Sequence, residues 1–149
     1  MHSRVFEIES KKGMTEGIEY DLPEWWTGMY TDWYSEETEE DSKESIEWLK
    51  REVDVRGKRI DFGKDVGGRL KKAYEKGVEL ALQFASLTFE EFKEYKGLDL
   101  AHYIASAVED KYHFWFYNPT EGEEICTLDE MLHRGGKVYL TGRTWDYHY

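Results

Sequence analysis

The stretch PEWWTGMYTDWYSEETEE, Pro23 to Glu40, limits the fold more than any other part of the chain. It places five large rings in twelve residues, and the overlapping segment Glu36 to Glu47 holds seven carboxylates and one lysine. Rings at this density are buried or bind something, whereas the acids must stay hydrated or paired. Laid out at about 100° per residue, Leu22, Trp25, Trp26, Met29, Tyr30 and Trp33 gather in a sector of about 140°, with Glu24, Thr27, Gly28, Thr31 and Asp32 on the other side. Strict alternation cannot collect that set. The spacing predicts a short amphipathic helix opened by Asp21 and Glu24 at capping-box separation, with Pro23 in its first turn. Trp25 and Tyr30 stand at the margins of the sector and Tyr34 outside it, so these rings are candidates for exposure.

Asp41 and Glu44 repeat the capping-box spacing ahead of Ile46, Trp48 and Leu49, which predicts a second helix from near Ser42. Its carboxylate-rich start and its Lys50-Arg51 end follow the polarity of the helix dipole. Before these helices, SRVFEIE alternates Arg4, Phe6 and Ile8 with Val5, Glu7 and Glu9, the pattern of a strand over residues 3–9 with one buried face. Val53 and Val55, then Ile60 and Phe62, flank Arg56-Gly57 and suit a hairpin or a single strand near 58–62.

Apolar residues at 66, 70, 73, 74, 78, 81, 82 and 85 form a helical stripe, with Lys71, Lys72 and Lys76 on its wet side. Thr88 with Glu91 opens a short helix ended at Gly97, and Asp99 to Asp110 reads as a further one. KYHFWFY at 111–117 alternates as a strand, NPTEGE turns the chain, and Thr127 with Glu130 caps LDEMLH. Residues 137–148 close as β structure, with Gly142 as a point for a bend. Strands at both ends with helices between predict an α+β fold: a mostly antiparallel sheet, covered on one face, packed against several helices.

A chain of 149 residues suits a single domain, 1–149, and its 6 Trp, 11 Tyr and 7 Phe exclude a disordered composition. The lone Cys126 cannot form an internal disulfide, the start MHSRVFEIESKKG lacks the apolar run of a secretory signal, and no apolar run spans a membrane. A cytoplasmic protein with no membrane partner is expected.

Charge is uneven. Residues 1–49 carry a net −10, residues 50–76 a net +5 and residues 77–149 a net −7, for −12 overall. The basic stretch either neutralises the acids internally or meets an anion. Arg56, Lys58, Arg59, Lys64, Arg69, Lys71 and Lys72 could make a basic stripe, yet the global charge opposes nucleic-acid binding, which phosphate contacts dominate.

The residues offer little catalytic chemistry. No His-x-x-x-His or Cys-x-x-Cys spacing occurs, and Gly63 to Gly68 matches neither phosphate-loop pattern, so no cofactor is implied. Were the last strand to pair with residues 111–117, His113, Asp146 and His148 would share a face, giving weak metal-ligand candidates. Cys126 precedes a helix start, where a thiolate can be stabilised, but a lone cysteine more often acts as a small apolar residue.

HSRVFEIES near the start and ESIEWLKRE at Glu44 to Glu52 resemble small acidic uncharacterised proteins of Gram-positive bacteria. The resemblance implies a bacterial source and no activity. From the residues themselves, the expected function is non-enzymatic protein binding, as in an immunity protein, inhibitor or regulator. Trp25, Tyr30, Tyr34, Glu39, Glu40, Asp41 and Glu44 would engage a basic protein, rings anchoring and acids steering. The alternative is a small enzyme or metal-binding protein with its site near the C-terminal strands.

Overall fold

Strand β1 (His2–Glu9) is buried on both faces, and a sheet of seven strands is built around it. The computed structural model describes residues 2–10, 21–30, 33–94, 99–100, 114–122, 124–135 and 138–148. These fall into two compact units, Met1–Gly67 with Tyr112–Tyr149, and Gly68–Lys111.

After β1 the first unit contains α1 (Glu24–Tyr30), β2 (Trp33–Glu36), α2 (Glu39–Leu49), and the hairpin β3 (Val53–Arg56) and β4 (Arg59–Asp65). The second unit holds α3 (Arg69–Ala85) and α4 (Phe89–Lys93), the latter opened by the Thr88–Glu91 capping box; Phe84 and Phe92 meet edge-on across the two helices at 5.9 Å. The first unit resumes with β5 (Phe114–Asn118), β6 (Glu124–Thr127), α5 (Leu128–Arg134) and β7 (Val138–His148). The Thr127–Glu130 box opens α5. The helix expected over 99–110 lies outside the described residues beyond its first two positions.

The α+β class holds, but the sheet is mixed rather than mostly antiparallel. Its order is β3-β4-β7-β1-β5-β6, with β2 also on β7, and β1 runs parallel to β5, Val5 opposite Trp115 and Phe6 opposite Phe116. A parallel neighbour needs a long crossover, which no short-range spacing announces. β1 therefore separates β5 from β7, so the last strand does not pair with β5. One edge of β7 carries β4 at Val138–Leu140 and β2 at Trp145–His148, and the other carries β1.

Both faces of the sheet are covered, not one. On the first, Val5, Trp145, Tyr147 and Tyr117 pack with Leu22 and Trp26. Trp26 is 1% exposed, meets Tyr147 edge-on at 5.0 Å, and is the plug that the ring-rich stretch supplies. On the second, Phe6 stacks on Phe116 at 5.6 Å, and Phe62 meets Phe116 edge-on at 4.8 Å. Two strands separate β4 from β5, so rings this close require the sheet to curl around that face. Helix α2 lies over the same face, its Ser42 hydroxyl bonded to Thr144 and its Ser45 to Arg4.

The ring-rich helix is shorter than its periodicity suggests. Pro23 contributes the first carbonyl, accepting from Trp26 and Thr27 N–H at 3.0 Å each, so it rather than Asp21 stands at the helix start. Trp33 and Tyr34 have left the helix and pair with His148 and Tyr147 in β2. The second helix also starts earlier than expected. Thr38 is its N-cap and accepts from the Asp41 N–H, which puts Asp41 inside the first turn.

Between Phe6 and Ile8, β1 has one residue, Glu7, where β7 has two, Gly142 and Arg143. This β-bulge is the bend expected at Gly142. A side chain at Gly142 would begin 3.1 Å from the Glu7 carboxylate, which would have to shift by a few tenths of an ångström to admit it.

Candidate functional site

Charge in the first unit sorts into acids held by the chain's own arginines and acids that face water. Arg4 reaches from β1 to Glu37 at 2.6 Å, to Asp146 and to Ser45, with its guanidinium 5.4 Å from the Trp48 ring. The Glu37 side chain is 2% exposed, so this pairing removes its charge from the surface. Arg143 binds Glu7 at 3.1 Å, touches Glu36 at 3.5 Å and lies over Trp145 at 5.0 Å. Lys50 pairs with Glu47 one turn back, at the end of α2.

Glu39, Glu40 and Glu44 are different. All three are exposed on the first half of α2 and, among the described residues, make no ion pair. Asp41 is exposed too, with one oxygen accepting the Thr38 hydroxyl at 2.6 Å. Orphan N–H groups at a helix start favour carboxylates, but two or three serve that purpose. The fourth lies beyond it.

The basic stretch pairs mainly with its near neighbours. Lys64 and Arg56 hydrogen-bond to Asp54 and hold its carboxyl below the ordinary range, the Lys64 bond contributing most. On α3, Lys71 faces Glu75 at 3.7 Å and Lys76 faces Glu79 at 3.1 Å. Lys50, in the basic stretch, pairs with Glu47 at the end of the acidic segment, whereas Glu39, Glu40 and Glu44 make no ion pair among the described residues.

The aromatic candidates divide by layer. Trp25 is half exposed on α1, Trp33 and Tyr34 are exposed on β2, and Tyr30 is described as a backbone position only. Helix α1 covers the Val5 face while α2 covers the Arg4 and Phe6 face. Trp25 and the wet carboxylates consequently stand on opposite layers, and Tyr34 on the strand that leads into α2 is the candidate ring nearest to them in the chain.

His113 and the His148 side chain lie outside the described residues, and Asp146 spends one oxygen on Arg4. Among the described residues no group of His, Cys, Asp and Glu could hold an ion. Cys126 is buried opposite Phe116, and burial, reinforced by the nearby Glu124 charge, pushes its thiol up to about 11. It is a neutral core group rather than a nucleophile.

Sequence reasoning missed the Arg4 and Arg143 ion pairs because Arg4–Asp146 and Arg143–Glu7 join positions more than a hundred residues apart and Arg4 meets Glu37 from a different element; Gly142 was the local hint for the second. No helix among the described residues is long and apolar enough to cross a membrane. No family model matches the chain, and no curated protein or solved structure matches it.

Proposed function

We propose that this protein is a non-enzymatic binding module, of the immunity, inhibitor or regulator kind, that engages a basic protein through the exposed start of α2. It works in the cytoplasm, a compartment that suits its single, reduced and buried cysteine. One observation carries the reading: Glu36, Glu37 and Glu47 each have a cationic partner within the chain, whereas Glu39, Glu40 and Glu44 have none among the described residues. Glu39 and Glu40 lie in the first turn, where the helix dipole favours them, but Glu44 lies beyond it and repels Glu40 one turn away, a cost in stability that a cationic partner would repay. Trp33, exposed on the strand preceding α2 and opposite His148, lies on the layer that α2 covers and supplies a ring there, whereas Tyr34, opposite Tyr147, lies on the other layer.

The test is affinity capture with the triple variant Glu39→Gln, Glu40→Gln and Glu44→Gln, which leaves Thr38 and Asp41 at the helix cap. The wild-type chain should retain a protein of high isoelectric point that elutes as salt rises, and the variant should lose it. Equal retention by both would reject the reading.

A further inference from the structure

Helix α2, the β3–β4 turn and β7 border an open groove of about 280 Å³, lined by Lys43, Ile46 and Glu47 from one side of α2, Lys50 at its C-terminal cap, Lys58 from the turn and Thr141 from β7. In a molecule of net charge −12, this lining carries three ammonium groups and one carboxylate. Glu47 is spent on Lys50, and Lys43 and Lys58 have no ion pair among the described residues.

The wall of the groove is held rigidly. Gly57, in the left-handed region at φ 59°, lets Gly57-Lys58 link β3 to β4 in two residues. The Thr141 N–H donates to the Lys58 carbonyl at 2.7 Å and ties the turn to β7. Thr141 itself is 5% exposed, and its Oγ1 has no hydrogen-bond partner among the described residues. A buried hydroxyl without a partner is costly, and Thr141 belongs to the wall that also bears Lys58, across the groove from Lys43 on α2. Ile46 adds an apolar surface.

We infer that the groove binds a small organic phosphate ester. Lysine ammoniums act as point charges suited to a phosphate dianion, the Thr141 hydroxyl, covered beneath the groove wall, donates to a phosphate oxygen once its side chain turns outward, and Ile46 packs against the organic body. The volume lies at the small end of ligand sites, enough for a single phosphorylated ring. This site is independent of the acidic surface, using the flank of α2 toward the hairpin.

The experiment is an amide-resolved NMR titration of the whole chain at low ionic strength with phenyl phosphate, benzoate and inorganic phosphate. Saturable shifts should centre on residues 42–50, 57–58 and 141–142, with phenyl phosphate binding about tenfold more tightly than either of the other two. Lys43→Gln with Lys58→Gln should weaken it by about tenfold or more, while Lys71→Gln on α3 leaves it unchanged. Thr141→Val should weaken it too, and if that variant does not fold the lysine pair decides. Shifts that fail to saturate by about 10 mM, that persist in the lysine pair, or that are as strong with benzoate or inorganic phosphate would overturn the assignment.

Discussion

Arg143 donates to one oxygen of Glu7 twice, from Nε at 3.1 Å and from its backbone N–H at 3.3 Å, across the bulge where β1 meets β7. Glu7 is 6% exposed, so the bulge is stabilised by a charge that water hardly reaches. Removing one partner of such a pair leaves the other poorly solvated. Glu7→Ala should therefore destabilise the fold by about 3 kcal/mol in urea denaturation. Gly142→Ala, whose new methyl meets the same carboxylate, should lose about 1–3 kcal/mol. Wild-type stability in both variants would show that the bulge tolerates either change.

The two adjacent indoles of α1 make opposite predictions. Trp26 is enclosed between Trp115 and Tyr147, and Trp26→Ala should cost about 3–5 kcal/mol. Trp25 is half exposed, so Trp25→Ala should stay within about 0.5 kcal/mol. Thermal melts of the pair measure the difference.

Thr38 caps α2 and Thr127 caps α5, and each accepts from the N–H three residues on. Thr38→Ala and Thr127→Ala should each lower stability by about 1 kcal/mol, and shortening of α2 or α5 would be visible as lost amide protection in hydrogen exchange.

These caps mark how far local spacing reaches. The Thr88 and Thr127 boxes were legible because all their partners lie within four residues. Around residue 40 two overlapping patterns compete, Thr38 with Asp41 and Asp41 with Glu44, and the strand before Thr38 decides between them. That strand was itself illegible: Trp33 fits the helical sector, and its extended state comes from a ladder with β7 more than a hundred residues away. β1 showed alternation but not its second buried face, because Ser3, Glu7 and Glu9 look like solvent positions until their partners on other strands are known. The exposure of Trp25 followed from its place at the sector margin. Which carboxylates are quenched could not be read, since Arg4 and Arg143 reach them through the tertiary fold.

Cys126 gives the chain a pH signature. Its thiol titrates near 9.0 when unfolded and at about 11 when folded. Between those values the unfolded chain has released a proton that the folded chain keeps, so this group lowers stability as pH rises from 9 to 11 and has no such effect below 9. Cys126→Ala should flatten that part of the stability profile. In the folded wild type, alkylation by iodoacetamide at pH 8 should be far slower than in denaturant.

The most direct measurement of the central claim is carbodiimide coupling in living cells, which joins a carboxylate to an amine in contact with it, followed by mass spectrometry of the crosslinked peptides. Exposed carboxylates awaiting a cationic partner predict bonds from Glu39, Glu40 or Glu44 to lysines of another protein. Couplings of these three confined to the chain's own lysines, with intermolecular bonds arising elsewhere on its surface, would contradict the account.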